Sequence, residues 1–315
     1  MRPAVNSPVT SGFTLIELSI VLVIIGLIIG GVLVGQDLIK AAIVRGQISQ
    51  IEKYQTAVNT FRSKYGYLPG DIPDPTASNF GFAARGQYAG EGDGNGVIES
   101  IANNAANDNL GFAEPGGEVG LFWEDLSNAG LIDGNFNTAT AINPFPAGAT
   151  GPNVALYFPQ AKIGQNNYIY VWAGGYLASC CLLSDIDNKN YFGLSVVNNA
   201  EICVACISTA TAVGITVSQA YNIDLKIDDG MPQTGRVTAL YLSGNAGPRW
   251  AGPTGVWGGH DPTTGGPVVS GDGVSTAPSA TTCYDNSSVA GANEQYSLSQ
   301  NGGTGLNCAL SFRFQ

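Results

Sequence analysis

After twelve residues of mixed character the chain becomes almost wholly apolar. From Phe13 to Gly35 it reads FTLIELSIVLVIIGLIIGGVLVG, with Glu17 as the one ionisable side chain. At about 1.5 Å per residue a helix of this length extends roughly 34 Å, enough to cross a bilayer. Beyond Gly35 the apolar positions thin to a stripe: Val44, Ile48, Ile51, Tyr54, Val58, Phe61 and Tyr65 recur every three or four residues. That period predicts a helix with one buried face. Gly66 and Pro69 end it. The two halves predict one continuous helix from Phe13 to Tyr65, about 80 Å long. Its second half needs a domain to cover the stripe.

Residues 66–315 read as that domain, a single antiparallel sheet with short helices and long loops. Strands are expected at Val154 to Phe158, Tyr168 to Trp172, Tyr191 to Val197, Arg236 to Leu242 and Ala309 to Phe314, each alternating or aromatic-rich between turn residues. Helices are expected at Glu118 to Ala129, with Gly130 as a cap, and at Val217 to Asp229. The latter has Thr216 and Gln219 as a capping box and Gly230 with Pro232 as a stop. The fold class is therefore α+β. Residues 244–273 hold ten glycines with Trp250 and Trp257 and no period, a pattern that reads as a surface loop, with a ligand platform as the weaker alternative.

Charge divides the chain at the same place as hydropathy. The total is 13 basic and 24 acidic residues among 315, but residues 1–64 hold 6 and 3 whereas residues 65–315 hold 7 and 21. So acidic a bulk disfavours a nucleic-acid partner. Arg2 precedes the apolar run and no acid does. The positive-inside bias then keeps the N-terminus cytoplasmic and sends the acidic head across the membrane. A secretory signal would place its small-residue cleavage site after a shorter apolar region. Here Gly12 comes before it.

Three sets of residues carry candidate chemistry. An uncompensated carboxylate within a membrane span costs roughly 3 kcal/mol, so Glu17 requires a partner. Six cysteines, at 180, 181, 203, 206, 283 and 308, imply three disulfides in an extracytoplasmic head, with fifteen connectivities if all pair. Zinc is the weaker reading, because Cys180 and Cys181 are adjacent while Cys203 and Cys206 alone have ligand spacing. Finally, Glu91-Gly-Asp93-Gly-Asn95-Gly96-Val97-Ile98-Glu99 has the oxygen spacing of a calcium loop, but its twelfth position is Ala102 rather than a bidentate glutamate. Two readings remain: a partial calcium site completed by distant carboxylates, or a Gly-Asn turn with solvated acids. No cofactor is required. The one histidine, His260, sits in the glycine-rich loop and no nucleophile motif accompanies it, so no enzyme is expected.

Gly12 followed by Phe13-Thr14-Leu15-Ile16-Glu17 resembles the type III signal of type IV pilins and of the type II secretion pseudopilins. The passage RGQISQIEKYQTAVNTFRSKYGYLPGD is similar to the second half of the long helix in minor pilins and pseudopilins, and FWEDLSNAGLIDG and AYNIDLKIDDGMPQTG resemble stretches of large minor pilin heads. The helix-bending proline of many major pilins is missing; the span has Gly26, Gly30, Gly31 and Gly35 instead. The resemblance implies a leader over residues 1–12, removed between Gly12 and Phe13 by a prepilin peptidase that then methylates the new amino terminus. It implies a filament-core half of the helix over 13–35, an amphipathic half over 36–65 and an extracytoplasmic head over 66–315. It also implies that Glu17 pairs with a neighbour's amino terminus and that Cys283 bonds Cys308, leaving Cys180 and Cys181 to bond Cys203 and Cys206. Related pseudopilins use calcium to hold loops. The expected protein is a subunit of a type IV pilus or pilus-like filament, bulky enough to suggest a minor role. Its partners are the peptidase, other pilin or pseudopilin subunits and the inner membrane, before it moves to the pilus or pseudopilus. The alternatives are a tip-located subunit binding a surface or secreted substrate, and a membrane-anchored periplasmic protein that never polymerises.

Overall fold

A computed structural model describes residues 12, 14–86, 90–99, 116–141, 150–173, 189–200, 213–243, 247–251, 277–289 and 291–315, with backbone alone for 242–243 and 247–250. The chain is α+β and divides into two compact units, Met1–Ile43 and Val44–Gln315. Helix α1 runs from Leu15 to Tyr65. It is followed by the single turn α2 (Thr76–Asn79), α3 (Gly117–Asn128) and α4 (Val217–Ile227). The strands are β1 (Asn167–Ala173), β2 (Asn190–Val196), β3 (Val237–Thr238), β4 (Leu240–Ser243), β5 (Gly247–Trp250), β6 (Tyr284–Asp285), β7 (Gln295–Tyr296) and β8 (Leu310–Arg313).

In the first unit, all seventeen large aliphatic side chains between Leu15 and Ile39 are exposed. This part of α1 is long and apolar enough to cross a membrane. Among the described residues of this unit nothing packs over it.

In the second unit the helical stripe is buried as its spacing predicts, with Val44, Ile51, Tyr54, Val58 and Phe61 at 5% exposure or less. Ile48 and Tyr65 are only half-buried, and the buried face instead takes in Gln47, Gln50 and Ala57. The two glutamines are inside because they serve as backbone substitutes. The Gln47 and Gln50 Oε1 atoms accept from the N–H of Ile163 (3.0 Å) and Lys162 (2.9 Å), and Gln50 Nε2 donates to the Gln160 carbonyl (2.9 Å). Segment 160–163 is thereby clipped to α1 on one side, while Gln160 and Ala161 pair with Tyr168 and Asn167 at the start of β1 on the other, which meets the rule that buried backbone groups must be paired.

The main sheet has the order β1-β2-β8-β3, antiparallel throughout. Strand β1 (NYIYVWA) is buried at every position. Opposite Tyr170 in the register lies Gly193. A Cβ at Gly193 would fall 2.1 Å from the Tyr170 ring, so the ring occupies the space a side chain would need. Helix α3 covers the sheet with Phe122 and Trp123. Tyr54 of α1 and Phe192 of β2 meet Trp123 at 5.1 and 6.2 Å between ring centroids, and Phe314 stacks near Phe192 at 4.4 Å. Each of these side chains contributes about 1.5 to 3 kcal/mol on burial, making this cluster the centre of the core.

Two expected strands differ. Residues 151–156 form a 3₁₀ helix rather than a strand. Pro152 at its start removes a donor from any ladder and presets a helical φ. The expected strand from Arg236 to Leu242 breaks after Thr238, so that β3 joins the main sheet while β4 pairs with β5 in a separate hairpin. At the break the Ala239 N–H donates to the Pro232 carbonyl (2.7 Å) instead of to a strand. Both helices of the head lie close to their expected limits, and the Thr216–Gln219 capping box is present.

Candidate functional site

At the start of α1, Thr14 and Glu17 form a reciprocal cap. The Thr14 N–H and hydroxyl both donate to Glu17 Oε2 at 2.8 Å, and the Glu17 N–H donates back to Thr14 Oγ1 at 3.3 Å. This is the Thr-x-x-Glu capping box, which satisfies donors that a helix start leaves open. Glu17 therefore has a partner within its own chain. The Thr-x-x-Glu spacing at positions 14–17 is the sequence signal for it. Gly12 is exposed, and Phe13 lies outside the described residues.

The second site lies on loop 90–99. Its carboxylates come from three places. The Pro69-Gly70 turn brings Asp71 against the start of α3: Gly70 has φ +84° and lies so close to the Glu118 carbonyl that a Cβ would be 2.3 Å away. Glu118, in the first turn of α3, is fully buried. Its Oε1 accepts from Gly92 (3.0 Å) and Asp93 (3.2 Å), and its Oε2 from Glu99 (2.9 Å). Asp71 accepts from Gly94 (2.8 Å) and Gly96 (3.0 Å). The loop is thus wrapped around two acids. Asp71, Asp93 and Glu118 can each offer an oxygen, all within 4.8 Å of one another.

Of the four residues expected to contribute, three gather. Asn95 Nδ2 donates to Asp93 Oδ2 (3.0 Å) and Glu99 Oε2 (3.3 Å). The Glu91 carboxylate instead lies against Gly86. Asp71 and Glu118 were not among the expected residues, although a carboxylate missing at Ala102 called for one from elsewhere.

Burial raises these acids, and their neighbours raise them further. Asp71 is pushed up to about 7 by desolvation and by Asp93, and Glu99 to about 7 by desolvation with Asp93 and Asp71. Glu118 is driven well above the usual carboxylate range, chiefly by burial and then by Asp71. Among the described residues no lysine or arginine forms an ion pair with this group. The adjacent Arg85 is committed to Asp125, its Nη2 donating at 2.8 and 2.6 Å while Nε donates to the Ile72 carbonyl. An all-oxygen donor set with unbalanced negative charge suits a hard cation such as calcium rather than zinc.

Cys283 and Cys308 form a disulfide with a sequence separation of 25. Cys180, Cys181, Cys203, Cys206, His260 and Trp257 lie outside the described residues. No protein family, curated protein or solved structure matches the chain.

Proposed function

We propose that this protein is a structural subunit of a type IV pilus or pilus-like filament, processed between Gly12 and Phe13 and assembled through α1. The observation that carries the reading is the division of one helix: seventeen aliphatic side chains exposed up to Ile39, then a stripe buried from Val44 onward. An apolar surface of this extent has to be covered by lipid or by other copies of the helix. The type III signal motif at Gly12 to Glu17 favours both in succession, first the inner membrane and then the filament core. A subunit confined to the filament tip, binding a surface or a secreted substrate, shares every one of these features. Its signature would be a few copies at one end.

The test is recovery of the full-length chain from sheared filaments, with mass spectrometry of its N-terminus. A methylated Phe13 and enrichment in the filament fraction are expected, and Gly12→Glu should leave the longer precursor in the membrane. A native chain beginning at Met1 and confined to membranes would overturn the proposal in favour of a non-polymerising anchor.

We further propose that loop 90–99 is held by calcium, with Asp71, Asp93 and Glu118 as ligands. The unbalanced charge of this group supports it, since one divalent cation would offset the mutual repulsion.

A further inference from the structure

A cleft of about 320 Å³ lies between α1 and the neighbouring segment from Pro159 to Lys162. Its inner wall is apolar: Tyr54 and Phe136 are 5% and 8% exposed, and Pro159 is buried as well. Its mouth is charged, with Lys53, Lys162 and Asp133 all exposed. An apolar wall with a few polar groups converging on it is the form of a small-molecule site.

The polar groups of this cleft are donors in excess. Tyr54 Oη accepts from Gln50 Nε2 at 3.1 Å, but its own proton reaches no acceptor among the described residues. Burial raises the hydroxyl above its usual range, against the bond from Gln50, so it stays a donor. Trp123 is fully buried and packs edge-on against the Tyr54 ring at 5.1 Å, and its Nε1–H also lacks an acceptor. Buried donors without acceptors call for a reason.

The acid on the lining is already committed. Asp133 meets Lys53 Nζ at 2.5 Å, and Lys53 first, with Lys162 adding to it, holds its carboxyl below the usual range. It therefore stays ionised and offsets one of the two ammonium groups. Lys162 forms no ion pair among the described residues. One positive charge, an open hydroxyl donor and an apolar wall match a monoanion with an apolar body. A zwitterion would need a second free acid, and inorganic phosphate would leave the wall without a partner.

We infer that this cleft binds a small organic carboxylate, whose oxygens accept from Tyr54 Oη and Lys162 Nζ while its apolar body lies against Tyr54, Phe136 and Pro159. The inference does not depend on the filament reading.

The test is titration of the full-length chain in detergent micelles with benzoate, followed by ligand-observed NMR. Saturable binding is expected, with the neutral isostere benzamide at least about tenfold weaker and inorganic phosphate a poor competitor. Lys162→Gln and Tyr54→Phe should each weaken benzoate about tenfold, whereas Lys162→Arg should retain it. Lys162 is exposed, so Lys162→Gln should keep the parental thermal midpoint and remains decisive even if Tyr54→Phe fails to fold. Absence of saturable binding, equal affinity for benzamide, competition by phosphate at benzoate's own concentration, or parental affinity in the Lys162→Gln variant would each overturn the inference.

Discussion

Asp71 and Glu118 hold one loop through interleaved backbone bonds: Asp71 accepts from Gly94 and Gly96, Glu118 from Gly92, Asp93 and Glu99. Two acids from distant parts of the sequence do the work that a strand ladder does elsewhere in the head. The arrangement makes the loop sensitive both to protons and to cations.

In a chelator, the isolated head should lose stability as pH rises. Asp71 and Glu99 have ordinary values of 3.8 and 4.5 and folded values of about 7. The folded state therefore binds more protons than the unfolded chain between these limits. Their contribution is fully present below about pH 4 and is lost as pH passes through 7. Asp224, also pushed up to about 7 by burial, acts with the same sign, so an Asp71→Asn variant is needed to isolate the loop. Differential scanning calorimetry from pH 4 to 8 measures the slope. A flat profile in the parent would refute the burial argument.

Millimolar calcium should reverse that trend above pH 7, because a ligand that binds only the folded, deprotonated site stabilises it by mass action. Asp93→Ala should abolish the rise in thermal midpoint, and Glu118→Gln should weaken it. An unchanged midpoint in the parent protein ends the calcium proposal.

Glu17→Ala should leave membrane insertion intact and sharply reduce incorporation into filaments, with Glu17→Gln nearly as harmful because the shape remains and the charge does not. The capping box adds a control. Thr14→Val removes the hydroxyl that bonds Glu17 at 2.8 Å and should cost about 1 kcal/mol of helix-start stability, while Thr14→Ser keeps it. Membrane and sheared fractions compared across the four variants separate the two roles. Parental incorporation of Glu17→Ala would mean that the carboxylate serves only as a cap, or that the subunit sits at a tip with nothing ahead of it.

Removing Arg85 should be among the most damaging changes in the head. Arg85 and Asp125 pair with both side chains fully buried, so Arg85→Met strands a carboxylate whose remaining donor is the Gly70 N–H. The expected cost is about 3 to 5 kcal/mol in urea unfolding. The double variant Arg85→Met/Asp125→Leu should recover much of it. Equal losses in the single and double variants would locate the damage in packing.

Replacing Cys283 and Cys308 by alanine should lower stability by roughly 3 to 4 kcal/mol, the loop-closure entropy for a separation of 25 residues. Both positions are fully buried, and Ile215 bridges Cys308 through paired backbone bonds of 3.1 and 3.0 Å. A native-like fold with the lower midpoint is therefore expected, and denaturant titration gives the difference.

The local pattern determined the helices. Apolar periodicity set the two halves of α1, Gly130 and the Thr216–Gln219 box marked the short helices, and the aromatic alternation of residues 168–172 and 191–197 found the two longest strands among the described residues, because helix and strand periods are properties of neighbouring residues. Tertiary structure decided what neighbouring residues could not. Gln47 and Gln50 look like solvent positions in the sequence but are buried, since the backbone of residues 160–163 needed partners. The run from Arg236 to Leu242 reads as one strand, yet it is shared between two sheets because Ala239 bonds to Pro232. The candidate cation site was half legible. Asp93, Asn95 and Glu99 share one loop motif, but Asp71 and Glu118 stand 22 residues before and 25 after Asp93 in the sequence, and no local period links them. Only the close approach of Gly70 to the start of α3, where a side chain has no room, brings those two carboxylates under the same loop.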